Sequence, residues 1–204
     1  AAISSMVQLM QRNETNSPET VERLELIAEQ IERIKRVTGE MTNLARQRPT
    51  VKKDVDGNDA IKRALRIAKF DSAFQTIEVR EIMSFKPITI VADEDQLHQV
   101  FLNLLLNAKD AMPDGGTLTL ISESAYDEAI FEIRDTGIGI SETQLTQVFD
   151  PFYTTKPAGK GTGLGLAVCD SIISAHGGSI TILANEHKGT IVRIKMPLSK
   201  QISA

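Results

Sequence analysis

Tryptophan is missing from these 204 residues, and tyrosine (two), cysteine (one) and histidine (three) are scarce. With seven Phe and no Trp, the core must be mostly aliphatic. A single cysteine, Cys169, cannot form an internal disulfide, and its setting GLAVCDSIISA reads as a buried helix. We read from this a reducing compartment, the cytoplasm. There is no run of about 18 uncharged apolar residues and no signal-peptide pattern at the start, so the chain reads as soluble, although a longer protein carrying it can be membrane-anchored. An excess of one charge is lacking too. Against 27 Asp and Glu stand 23 Lys and Arg, a formal −4 with no basic block, which gives a nucleic-acid role no support.

What is present is enough for one full domain and a smaller element, with 41% hydrophobic residues to fill a core. Ala1 falls inside a helical pattern, so the chain reads as a piece of something longer. Residues 1–12 place Ile3, Met6, Val7 and Met10 on one helix face, and NETNSP (13–18) is a turn cluster. Ser17-Pro18-Glu19-Thr20 is a helix start with a cap, an N1 proline and an early acid. From Val21 to about Gln47, Leu24, Ile27, Ile31, Ile34, Thr38, Met41 and Ala45 alternate at steps of three and four, the seam of a coiled coil. Such a helix is roughly 40 Å long. It cannot bury its stripe alone, and a hairpin over residues 1–48 that dimerises into a four-helix bundle is the economical arrangement. A hairpin packed on its own chain is the alternative.

Arg48-Pro49 ends that helix, and residues 49–204 form a second domain. Helices are expected over 59–70, 93–111, 141–148 and 163–175. Strands are expected at 76–82, 88–91, 117–124, 129–134, 179–185 and 190–197. The fold class is α+β, a mixed sheet with helices on one face.

The chemistry sits in three places. Asn103 and Asn107, in QVFLNLLLNAKDAM, are four residues apart and share a helix face. Amide oxygens suit magnesium, which keeps waters and phosphate oxygens in its octahedron; the plainer reading is two core or capping amides. Asp135 ends the strand IFEIRD, where a carboxylate can accept the amine of adenine. Gly137 and Gly139 then let the backbone approach a flat base, although DxGxG alone is also an ordinary turn. The run GKGTGLGL (159–166) is neither a Walker loop nor a dinucleotide fingerprint. Glycines leading into a helix still offer backbone N–H groups to phosphates, and Lys156 and Lys160 can add charge. A solvated loop with incidental lysines is the alternative. Phe149, Pro151, Phe152 and Tyr153 precede it as an aromatic cluster, for core packing or docking.

Taken in order, Asn103/Asn107, Asp135-x-Gly137-x-Gly139, Phe149–Phe152 and Gly161-x-Gly163-x-Gly165 resemble the catalytic and ATP-binding domain of sensor histidine kinases, over about residues 50–198. Gly189-Thr190 matches the family's last, weaker box, and the lid PFYTTKPAGKGTGLGL is similar to the nitrogen-regulation subgroup. The resemblance implies ATP and Mg2+ as ligands, with Asn107 on the metal and Asp135 on adenine. Asn103 and Asp110 would line the phosphate and sugar side, and Thr190 would lie near adenine. Lys156, Lys160 and the segment Gly161, Thr162, Gly163, Leu164 and Gly165 would clamp phosphates. Asn103 and Lys156 are the residues expected at the transfer step. In the related ATPases a Glu stands at the position of Asn103 and activates water; an amide cannot act as that base, so poor hydrolysis is expected.

The hairpin then resembles the family's dimerisation and histidine-phosphotransfer domain, which implies a homodimer and a response-regulator partner. The family's acceptor motif, like H-E-x-x-N-P-L, has no match here. His98 lies in the Asn-bearing helix, His176 reads as a C-terminal helix cap, and His187 sits in a turn. The acceptor is expected just upstream of Ala1, so this chain should not phosphorylate itself. Three other readings stay open: an ATPase or conformational switch, a protein-serine kinase on the same fold, and a nucleotide-sensing dimerisation module.

Overall fold

A computed structural model describes residues 7, 10, 17–28, 31, 50–157, 161–185 and 188–199. The chain divides into two units, one of residues 1–48 with 155–162, the other of 49–154 with 163–204. In the first, residues 18–28 are helical and Ser17 caps them, its Oγ accepting the Thr20 N–H at 3.3 Å. Of the expected seam, Leu24 is buried, Ile31 half-buried and Ile27 47% exposed. Ile34, Thr38, Met41 and Ala45 lie outside the described residues, as does most of 1–16.

The second unit opens with strand β1 (Lys53–Asp56) and helix α1 (Gly57–Ala68). Asp56 caps α1 through Oδ1, which takes the N–H groups of Asn58 and Ile88. A 3-10 turn (Ser72–Thr76) leads into β2 (Ile77–Met83), then β3 (Thr89–Ala92) and the long helix α2 (Glu94–Asp110). Asp93 caps α2, with Glu94 and Asp95 in its first turn and Lys109 in its last, charges that oppose the helix dipole. Strands β4 (Gly116–Ala125) and β5 (Glu128–Asp135), the short α3 (Glu142–Leu145), helix α4 (Gly165–Ala175) and strands β6 (Ser179–Ala184) and β7 (Thr190–Pro197) complete it.

The main sheet runs β2-β4-β5-β7-β6, parallel only between β2 and β4; β1 and β3 form a separate antiparallel pair. Leu118, Leu120, Phe131, Ile133, Ile194 and Met196 turn to the helices and are buried against Ile61, Leu65, Val100, Phe101, Leu104 and Leu105. The rings of Phe101 (α2) and Phe131 (β5) meet edge to face at 5.5 Å. Gly57 stands where Phe131 crosses α1, since a Cβ there would overlap the ring.

On the alternate side of β5, Glu132 is nonetheless buried. Arg134 (2.5 Å) and Arg193 (2.6 Å) fold over it as an ion triad. Burial pushes the Glu132 carboxyl up, but the two guanidinium groups outweigh it and hold it below the usual carboxylate range.

Two expectations are corrected. β1 was not anticipated: KDVD has one apolar residue and becomes a strand by pairing with β3. Helix α4 begins at Gly165, two residues after the expected start, because Gly163 takes φ +70° and cannot be helical.

Candidate functional site

Helix α2 touches both groups of marked residues: Asn103 bonds Gly165 at the start of α4, and Ala111 at its end meets Gly137 and Ile138 just past β5. Asn103 and Asn107 are both half-buried on α2. Asn103 Nδ2 donates to the carbonyl of Gly165, the first residue of α4, at 3.0 Å, and lies 3.7 Å from Cys169 Sγ. A Cβ on Gly165 would come within 3.0 Å of that nitrogen, so the glycine sets how closely the helices approach. The N-cap of α4, Leu164, is buried and gives no side-chain capping bond, which leaves the first-turn N–H groups available to an anion. Just before it, the Phe152 N–H bonds the Gly163 carbonyl at 2.9 Å, and the Phe152 backbone leaves no room for a Cβ on Gly163.

Asp135 is the last residue of β5 and 4% exposed. Both of its side-chain hydrogen bonds fall on Oδ1, from the N–H groups of Gly137 (2.9 Å) and Thr190 (3.2 Å). Among the described residues Oδ2 takes none. Burial pushes the carboxyl above its ordinary value, opposed by the two backbone N–H groups. The arrangement is an oriented buried acceptor with one oxygen to spare, suited to an exocyclic amine. Gly137 is pressed against the Ala111 carbonyl at the end of α2, which also accepts the Ile138 N–H at 2.9 Å. Gly139, at φ +77°, faces the backbone of Gly189.

One residue beside Asp135, Asn185, was not singled out from sequence. Asn185 donates Nδ2 to the Asp135 carbonyl at 3.2 Å, and its N–H bonds the Gly189 carbonyl at 3.0 Å. Gly189 packs directly on Asp135. The Gly189-Thr190 pair was a visible signal; nothing marked Asn185.

Asp110 is partly exposed and paired with Lys109 at 2.9 Å, which also binds Asp71 at 2.8 Å. Lys156, Gly161 and Thr162 belong to the first unit, and Lys160 lies outside the described residues. His98 lines a groove between α1 and α2 with Arg63, Arg66 and Phe70. His176 is the C-cap of α4 as expected, its Nδ1 2.8 Å from the Ile172 carbonyl and its Nε2 accepting the Asp93 N–H at 3.0 Å. His187 lies outside the described residues. Of the aromatic cluster, Phe149 packs on the core while Phe152 is 61% exposed.

No cluster of three His, Cys, Asp or Glu side chains suited to a metal occurs among the described residues. The donors at the α2–α4 edge are amide oxygens, which fit a magnesium ion that keeps phosphate and water oxygens, and not a carboxylate cage.

Residues 92–200 match the family described as "Histidine kinase-, DNA gyrase B-, and HSP90-like ATPase". Over 181 residues, 88% of this chain, there is 37% identity to "Sensor histidine kinase ZraS" of Salmonella typhi, of which the match covers 38%. The chain thus spans well under half the length of that relative. Among solved structures, full-length ShkA in complex with AMPPNP has a TM-score of 0.79 at 21% identity, covering 97% of this chain and 42% of that one. Histidine kinase ThkA in complex with response regulator protein TrrA has a TM-score of 0.76 at 22% identity, covering 97% of this chain and 57% of that one. These two likenesses show the fold. The names of these relatives give the nitrogen-regulation subgroup no support. Sequence match and fold agree: the chain belongs to the histidine kinase-, DNA gyrase B- and HSP90-like ATPase family, with sensor histidine kinases among its homologues.

Proposed function

We propose that this chain is the kinase core of a two-component sensor, binding Mg–ATP and transferring the γ-phosphoryl to a histidine supplied by a segment upstream of Ala1. The observation that supports the reading is a buried carboxylate, Asp135, held through Oδ1 by two backbone N–H groups, in the same unit where Asn103 of α2 bonds the start of α4, a helix with no side-chain cap. Asp135 Oδ2 would take the adenine amine, with Gly137 and Gly139 against the base. The first-turn N–H groups of α4 would receive phosphate oxygens. Asn107 would hold magnesium, whose part is to neutralise charge on the β- and γ-phosphates. Lys156 and Lys160 would bring positive charge from the lid segment, and Asp110 would line the sugar side.

The chain's residues would orient and stabilise; the nucleophile comes from elsewhere. An imidazole nitrogen forms the P–N bond as the bond to the β-phosphate oxygen breaks, ADP leaves, and the imidazole proton goes to solvent. Position 103 is an amide and cannot activate water as a base. A response-regulator aspartate would then receive the phosphoryl group, a role supported by the regulator bound to ThkA; the AMPPNP bound to ShkA supports the nucleotide. Homodimerisation through the hairpin fits the exposure of the seam residue Ile27.

The test gives labelled Mg–ATP to this chain alone and to its mixture with a version extended upstream through the acceptor helix, whose own nucleotide site is disabled. Acid-labile label should appear on the extended chain in the mixture only, and should vanish with Asn107→Ala in this chain. Label on this chain alone, acid-stable label, or free phosphate with none bound to protein would each reject the reading.

A further inference from the structure

The bond from Asn103 to Gly165 uses one of two amide hydrogens, and the other points at a buried thiol. Cys169 lies one turn into α4 and has no exposed surface. Its Sγ sits 3.7 Å from Asn103 Nδ2 and 3.8 Å from the carbonyl of Val100, one turn before Asn103 on α2. The contact with the Val100 carbonyl makes the thiol a donor there, while its sulfur accepts from Asn103. The four groups form a chain: Val100 carbonyl, Cys169 S–H, Asn103 amide, Gly165 carbonyl. It fixes which way the amide faces, because the reversed rotamer would set Oδ1 against a carbonyl oxygen. With both hydrogens committed, Asn103 has only Oδ1 left for a ligand, and among the described residues Oδ1 takes no hydrogen bond.

We propose that Cys169 is a positioning residue: with the Gly165 carbonyl it holds the Asn103 amide so that a bound magnesium nucleotide meets an acceptor oxygen and never an N–H donor. The proposal rests on the nucleotide-binding reading above. Its chemistry explains why the position tolerates a thiol in an otherwise apolar interface. A valine would fill nearly the same space and leave one amide hydrogen without an acceptor. A serine would keep a donor and an acceptor there.

Nucleotide affinity of this chain, measured with Mg2+ and with EDTA, separates the possibilities for the wild type, Cys169→Val and Cys169→Ser. Asn103 lies one turn from Asn107 on the same face of α2. Residues that position groups around a metal typically alter metal-linked affinity by about tenfold or more, so Cys169→Val should lose about tenfold of the Mg2+ enhancement. Its affinity in EDTA should hold within about twofold, and Cys169→Ser should recover most of the enhancement. Equal losses with and without Mg2+ would show a merely structural role and overturn the proposal. So would an unchanged enhancement, or a serine variant no better than valine. A second readout needs neither metal nor the valine variant to fold. The side-chain amide hydrogens of Asn103, identified by their loss in Asn103→Ala, should exchange slowly in the nucleotide-free wild type and shift in Cys169→Ser. Fast exchange, as at a surface asparagine, would also overturn it. If the wild type binds no adenine nucleotide in either buffer, the functional reading fails first; slow amide exchange would then still show the clamp.

Discussion

Gly189 lies so close to Asp135 that a Cβ on the glycine would overlap the Asp135 carbonyl oxygen. Its φ of +100° excludes most side chains independently. Gly189→Ala should therefore force β7 away from β5 at the point where Thr190 bonds Asp135. We expect a loss of about 3 kcal/mol or more in stability, or of nucleotide binding where the fold survives, read by denaturant unfolding and nucleotide titration. A variant matching wild type in both would contradict the packing described.

Asp135→Asn should separate binding from stability. Oδ1 of the amide still accepts from Gly137 and Thr190, but an NH2 group replaces Oδ2 and opposes the adenine amine. Affinity should fall by about 100-fold, the cost of facing one donor with another. The unliganded protein should respond in the opposite direction. Because the folded-state pKa of Asp135 is raised, its contribution to stability is fullest below the ordinary carboxylate value and is lost as pH rises through the folded value. The variant should thus gain on wild type at neutral pH, and the gain should vanish by about pH 3. Urea unfolding at the two pH values checks the sign.

Glu132→Gln should be costly for a residue outside the site, since it leaves Arg134 and Arg193 without their shared anion. The guanidinium groups are partly exposed, so about 1–3 kcal/mol is expected, below the value for a fully buried pair. The folded pKa of Glu132 is lowered, so wild type holds this stability above the ordinary glutamate value and loses it as pH falls through the folded value. The acid limb of the stability curve should be shallower in the variant, while nucleotide affinity stays unchanged.

Placing a carboxylate at position 103 should not create an ATPase. Asn103 donates to the Gly165 carbonyl, and in Asn103→Asp two acceptors would face each other across that 3.0 Å gap. We expect phosphate release to stay within about threefold of wild type, while Mg2+-dependent nucleotide binding weakens by about tenfold. A large rise in steady hydrolysis would show that an acid can be accommodated there as a base.

Local chemistry was legible in the sequence wherever a few neighbouring residues decide the outcome. Ser17 before Pro18 and His176 before two glycines each announce a helix end, and each acts as one. The helix expected at 141–148 does open at Ser141, which caps it with Gln144 as reciprocal partner, but it runs only over Glu142–Leu145. Long-range relations were not legible. The parallel pairing of β2 with β4 follows from where the chain returns after α2, and no residue in IEVREIM encodes its direction. Within the site, DxG foretells the Gly137 N–H on Asp135, while the second donor arrives from Thr190, 55 residues on. The bond from Asp93 to His176 spans 83 residues, so only the cap, and not its contact, could be read.

The bond between Phe152 and Gly163 carries a consequence for how such chains diversify. It makes a doorway, tying together the two ends of the segment 153–162. Strand register and core packing are complete on either side of that doorway, whatever lies between. Insertions, deletions and changes of charge can therefore accumulate in the intervening segment without retuning the sheet, and relatives with lids of different length can share one frame.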